Sequence, residues 1–366
     1  MSGCQDDPFT LDSNVPTFDV DAFEAGVVER MGDQPVGWAY VINQGGNLAR
    51  SGAFGNARSA ADGQVAMTVN KPINMASITK LLTAIAVMQL LEARNLDVDD
   101  EIDPWLPPGW DRGPGVDELT FRDLMSHRSG LNSVNSDFTN TLCYDCLRGV
   151  IEEGVTQSTD YTYRNANFAL FRIVIPMMWA GLPGAPSVVV PSESTTNAVY
   201  MDYMDEHVFD AIGVTTASLE PEDRSTATFY YAVGDEAAGN NGTAYGDWTA
   251  IAGGGGYYMS TVDLARILAF YEHSTSLVSE DDRAAMKSCL CGFDSRFVSM
   301  EPWGDYFHKN GSISNGAGQG VLTEAVVFPN DVEIAVATNT QGLVFTNGDS
   351  FRQMLYRAYN SAWTQD

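Results

Sequence analysis

Ser77 and Lys80 stand three residues apart in the segment "NMASITKLL", where a long apolar run begins. A serine hydroxyl is a weak nucleophile until a base takes its proton, and a desolvated lysine can assist. Tyr163, in "YTYRNANFALF", precedes Asn165 by two residues and stands ahead of a second apolar run. Its phenol can serve as a base when neighbouring ammonium groups favour the ionised form. Lys309, in "FHKNGSISNGAG", adjoins Asn310, Gly311 and Ser312 in a predicted strand that leads into a glycine-rich turn. Glycine there lets a substrate approach the backbone closely. The chain has only four lysines (Lys71, Lys80, Lys287 and Lys309) among its 20 Lys and Arg, and two of the four fall in these motifs. Lysine, unlike arginine, can lose its proton on burial and become a base. The chemistry these groups share is that of a serine hydrolase.

The elements that must carry them follow from patterning. "SITKLLTAIAVMQLLEAR", Ser77 to Arg94, is apolar on most faces and predicts a buried helix. Asn74 is the expected N-cap and Asn95 the expected stop. Ser77 then lies in the first turn, where free N–H groups and the helix dipole favour negative charge, and Lys80 at i+3 shares its face. Residues 19–32 predict a first helix. "GWAYVIN" and "LARSGAFG" around "QGGN" predict one hairpin, and "GVLTEAVVF" and "VEIAVATN" around "PND" a second. A last helix is expected over 347–361. Strands near both ends with helical pattern between them predict an α+β fold. Its antiparallel sheet is built from both termini and flanked by terminal helices, with an all-helical domain inserted. The expected division is an acidic tether over 1–18, an α/β domain from 19–75 and 295–366, and a mainly helical domain over 76–294.

The formal net charge of −28 repels phosphate backbones and anionic surfaces, which excludes nucleic acid as the expected partner. No run of eighteen apolar residues occurs. Of the five cysteines, Cys143, Cys146, Cys289 and Cys291 suit two disulfides in an oxidising compartment, with three connectivities open and a four-thiolate zinc site as the rival. "MSGC" is similar to the end of a bacterial lipoprotein signal, which makes Cys4 the candidate for lipid attachment and the lipid the expected route to a membrane.

Taken together, the segments resemble the serine β-lactamase and penicillin-binding-protein superfamily. The branch is that of class C β-lactamases, D-aminopeptidases and related family VIII-type esterases. "SITK" resembles its Ser-x-x-Lys motif, "YRN" its Tyr-x-Asn and "KNGS" its Lys-Thr-Gly-Ser, in the family's order. "LTFRDLMSHRSGL" and "GGGGYYMSTVDLARI" are similar to two further family segments. The resemblance implies a β-lactamase/transpeptidase-like fold with the site between an α/β and a helical domain. It implies that Ser77 forms an acyl-enzyme, that Lys80 and Tyr163 manage the proton, and that Asn165 positions Lys80 and a substrate amide. It further implies that Lys309 lowers the Tyr163 pKa and attracts a substrate carboxylate. The backbone N–H groups of Ser77 and Ser312 would form the oxyanion hole. Two departures stand out: Asn310 replaces the family's threonine, which weighs against β-lactam turnover, and Arg164 puts a bulky cation inside the second motif.

Other chemistries find less support. No serine has the Gly-x-Ser-x-Gly context and no His-Glu-x-x-His occurs, so neither a metal nor any other cofactor is expected. His127 is expected to be a structural hydrogen-bonder, and His308 to face away from Lys309 on a strand. The expected activity is hydrolysis of a small-molecule or peptide ester or amide, as in a carboxylesterase or amidase. The alternatives are a class C-type β-lactamase or D-peptidase, and a non-turnover acyl-binding sensor. Export to a bacterial periplasm or cell surface is the expected location.

Overall fold

The computed structural model describes residues 16–132, 142–221, 223, 227–297 and 304–364, so Cys4 and most of the expected tether lie outside the described residues. The chain divides into two compact units, one of residues 1–32 with 344–366 and the other of residues 33–343.

In the first unit, two helices pack together, Val20–Met31 and Phe351–Ser361. Asp19 caps the former by accepting from the N–H groups of Asp21 and Ala22, and a reciprocal Ser350–Gln353 box caps the latter. Thr17 and Phe18, at the end of the expected tether, pair antiparallel with Thr364 and Trp363. Phe18, Phe23, Tyr359 and Trp363 form the aromatic centre of this unit.

The second unit is built on an antiparallel sheet whose long strands are β1 (Gly37–Gln44), β2 (Asn47–Arg58), β3 (Tyr306–Ser314), β4 (Gly320–Phe328) and β5 (Val332–Thr338). Their order across the sheet is β3-β4-β5-β1-β2. The first hairpin turns on Gly45 and Gly46, both at positive φ (57° and 73°), as a two-residue turn with the twist of its strands requires. The second turns through Pro329, Asn330 and Asp331. β5 is buried along its whole length and β1 along all but its last residue, so neither shows the alternation of a half-wet strand.

The predicted core helix appears as α1 (Thr79–Arg94), preceded by a single 3-10 turn over Ala76–Ile78 that carries Ser77. Asn95, at φ 56°, closes it by donating to Leu91 and Glu92 carbonyls. Asn74 does not cap α1 directly: its Oδ1 accepts from the Ala76 N–H at 2.8 Å, and its Nδ2 donates to the Gly256 carbonyl. The extra 3-10 turn moves the helix start beyond its reach. By length and composition the Ala76–Arg94 segment could cross a bilayer, but it is mostly buried as the core of this unit. The span 76–294 also contains strands, Phe229–Ala232 and Tyr258–Met259 among them. The helices that matter most for the site are α2 (Asn165–Ala169) and α3 (Phe171–Trp179), with α4 (Thr261–His273) against β1 and β5.

Candidate active site

From Ile73 to Met88 every residue is buried except Ser77. Ala76, immediately before it, holds φ 49°, a conformation costly for a side chain bearing Cβ. This kink turns the Ser77 hydroxyl out of an otherwise closed core element. Lys80, one turn along and fully buried, donates from Nζ to Ser77 Oγ at 3.2 Å, to Asn165 Oδ1 at 2.6 Å and to the Gly254 carbonyl. The Tyr163 phenol oxygen lies 2.8 Å from Ser77 Oγ. Sequence separation between the serine and the tyrosine is 86 residues, and the fold brings them into contact.

The glycine-rich segment Gly253–Gly256 explains how three distant motifs meet. A Cβ on Gly253 would stand 2.5 Å from the Phe168 carbonyl of α2, and Gly253 itself has φ 85°. The Gly256 N–H donates to the Ala76 carbonyl, and the Gly253 carbonyl accepts from Thr83 Oγ1. Side chains here would push α1 and α2 apart, so only glycine allows the segment between them.

β3 supplies the other wall. A Cβ on Gly311 would stand 2.2 Å from Thr323 Oγ1 and 2.4 Å from the Met75 carbonyl. The strand therefore runs against the turn that carries Ser77. The Asn310 N–H points away from β4, to Asp294, and strand alternation points the Ser312 N–H the same way. The Ser312 N–H is one of the two donors of the expected oxyanion arrangement. Gln341 Nε2 donates to Ser312 Oγ at 2.8 Å.

Lys309 is 1% exposed, and its Nζ donates to Asp294 Oδ1 at 2.6 Å and to the Asn310 carbonyl at 2.9 Å. Asp294 is fixed in turn by its own N–H on the His308 carbonyl. Asp294 is the residue that sequence reasoning missed. In a chain with 48 acidic residues, nothing about this one marks it until the lysine is seen beside it.

The ring of Tyr163 is flanked by cations: Lys80 Nζ is 4.9 Å from its centroid and Lys309 Nζ 5.5 Å. Burial opposes ionisation of the phenol, but the two ammonium groups outweigh it and hold Tyr163 below its usual value. Burial pushes the Lys80 ammonium down, with Lys309 adding to the effect. Lys309 is held up, because Asp294 and Tyr163 outweigh the cost of its burial. The Asp294 carboxyl stays below the usual range for the reciprocal reason, the charge of Lys309 overcoming burial.

His127 packs its ring 4.4 Å from that of Tyr163, and its Nδ1 accepts from the Arg164 N–H at 3.3 Å. Burial and the two nearby lysines keep it well below the usual histidine value, so it is neutral. His308 lies on the opposite side of β3, with Nε2 2.6 Å from Ser295 Oγ and Nδ1 3.6 Å from Glu324. The Sγ atoms of Cys143 and Cys146 are 2.21 Å apart, and those of Cys289 and Cys291 2.03 Å, each pair at bonding distance. Among the described residues no cluster of three or more His, Cys, Asp or Glu side chains is arranged to hold a metal ion.

A serine at a kinked helix entry, an amine one turn along, a phenol from the segment just ahead of a second helix and a strand edge opposite define one class of protein. The chain belongs to the beta-lactamase family, whose model matches residues 23–357. PbpX of Bacillus subtilis (strain 168) is 25% identical over 201 residues, 53% of this chain and 46% of that protein, so the match spans less than half of that relative. Among solved structures, a Beta-Lactamase/D-Alanine Carboxypeptidase from Pseudomonas syringae superposes with a TM-score of 0.69 at 14% identity. The superposition covers 93% of this chain and 98% of that one. A D-stereospecific amidohydrolase from Streptomyces sp. gives 0.61 at 18% identity, with the same coverage. The fold is thus the β-lactamase/transpeptidase α+β fold, with its antiparallel sheet and several helices.

Proposed function

We propose that the protein is a serine hydrolase that cleaves carboxylic esters or amides through an acyl-enzyme on Ser77. The observation that carries the reading is the convergence of Lys80 Nζ and the Tyr163 oxygen on one partly exposed hydroxyl, at 3.2 and 2.8 Å. In the acylation step Tyr163, as phenolate, takes the Ser77 proton while Oγ bonds to the substrate carbonyl carbon. The carbonyl oxygen becomes an oxyanion between the N–H groups of Ser77 and Ser312, each such donor contributing about 3 kcal/mol to a reaction of this kind. The C–O or C–N bond then breaks, and the leaving group receives the proton from Tyr163. Water attacks the ester carbon, gives its proton to Tyr163, and Ser77 recovers a proton as the acid departs. Lys80 stays a donor throughout, held by Asn165 and Gly254.

Screening p-nitrophenyl esters, D-amino-acid amides and nitrocefin side by side tests the reading. Ester or amide turnover is expected to exceed nitrocefin turnover. A β-lactamase or D-peptidase reading is favoured by what the Pseudomonas syringae neighbour is called, and rapid nitrocefin hydrolysis with poor ester activity would make it the better one. Labelling of Ser77 by a fluorophosphonate without product from any ester would point instead to an acyl-binding sensor. Export to the periplasm or cell surface, with a lipid on Cys4, belongs to the same proposal and draws support from the two close cysteine pairs.

A further inference from the structure

Two groups on the substrate side of β3 could hold an anion: the Lys309 ammonium and the outward Asn310 N–H. Asp294 occupies both. Its Oδ1 takes the ammonium at 2.6 Å and its Oδ2 takes the N–H at 2.7 Å. Lys309 is 1% exposed, whereas the Asp294 side chain is 12% exposed. What faces outward is therefore the edge of a carboxylate, not the ammonium beneath it.

Asp294 also lines a cavity of about 470 Å³ whose apolar wall includes Tyr161, Leu290 and Phe293. Two arginines reach the same cavity. Arg122 is engaged by Asp99 through two bonds of 2.5 and 2.8 Å, and Arg128 is exposed. A substrate carboxylate arriving at Lys309 would meet a like charge at contact distance and a cation already neutralised, and repulsion of this kind is a common means of rejecting a ligand.

We infer that Asp294 is a built-in carboxylate that fills the anion-binding position of the site, so that the enzyme acts on esters or amides whose leaving group carries no carboxylate. The inference rests on the hydrolase reading and adds the substrate class. Asp294 acts as a specificity-determining residue. It repels an anionic leaving group and admits a neutral one.

The test compares phenyl butyrate with 3-carboxyphenyl butyrate, which share an acyl group and have leaving groups of nearly equal acidity. Wild-type protein is expected to favour the phenyl ester in kcat/KM by roughly tenfold or more, with the gap narrowing as salt is added. Asp294→Asn is expected to shrink or invert the ratio, chiefly by lowering KM for the carboxylated ester. Should that variant not fold, Asp294→Ser is the second variant. A ratio unchanged from wild type in a folded variant would overturn the inference, because the net charge of −28 alone would then account for the preference. Equal rates on the two esters, or a wild-type preference for the carboxylated one, would overturn the inference and move anion recognition to Arg128. No turnover of either ester, together with no fluorophosphonate labelling at Ser77, would instead bring down the hydrolase reading on which it rests.

Discussion

Gly311 and Met75 approach so closely that a methyl group added to Gly311 would stand 2.4 Å from the Met75 carbonyl oxygen. β3 and the nucleophile turn are held at backbone contact, and the distance between the Ser77 and Ser312 N–H groups depends on it. Gly311→Ala is expected to cost about 1–3 kcal/mol of stability, because neither the Met75 carbonyl nor Thr323 can move aside freely. Its effect on turnover should exceed its effect on the urea midpoint. Full activity in a folded Gly311→Ala protein would show that the strand does not set the oxyanion geometry.

Lys80 is fully buried, and its Nζ donates to Ser77, Asn165 and Gly254. Lys80→Met keeps the volume and removes the donor. Turnover of the best ester is expected to fall by roughly 10²–10⁴-fold. Ser77→Ala should abolish fluorophosphonate labelling altogether, and labelling that persists would move the nucleophile to another serine.

The pH profile reports on Tyr163. Lys80, Lys309, His127 and Asp294 are the charged or titratable groups around it. Burial raises the phenol, but Lys309 and Lys80 win and hold it down, so the phenolate is available below the usual tyrosine range. Activity should therefore rise with pH through a limb lying below the usual tyrosine value of 10.0. Removing the positive charge of Lys309, as in Lys309→Met, should move that limb to higher pH and lower kcat. A shift to lower pH would contradict the assignment of the base.

Asp294 ties stability to pH with a definite sign. Its folded carboxyl is held below the usual value of 3.8, so the stabilisation it brings is present above that value and is lost as pH falls through the lower folded one. Asp294→Asn removes this contribution. The difference in urea midpoint between wild type and variant should accordingly narrow at acid pH; a constant difference would show that the charge of Asp294 is not what stabilises the fold.

The cysteines offer a check on compartment. With both pairs closed, denatured protein kept from reductant should present no reactive thiol where Cys4 carries a lipid and one where it does not, with four more appearing on reduction. Four or five thiols before reduction would argue against export.

The local elements were legible because their causes are local. The apolar run from Ile78 to Leu91 dictates a buried helix, Asn95 stops it, and the i+3 spacing sets Ser77 beside Lys80 without help from the rest of the chain. Both hairpins could be read from their turn residues, Gly45–Gly46 and Pro329–Asp331, for the same reason. The 3-10 turn over Ala76–Ile78 was not legible, because the segments that hold it, with the Gly256 N–H on the Ala76 carbonyl and Gly311 close against Met75, are distant in the chain. Nor was Asp294, since a carboxylate among 48 acidic residues acquires a role only from the ammonium it meets. Sequence by itself determined which groups could do acyl chemistry and which helix would carry the nucleophile. Tertiary structure alone decided that a phenol 86 residues away completes the site and that an internal carboxylate already covers its cation. Contacts between remote segments depend on how whole elements pack, and no stretch of a few residues encodes that.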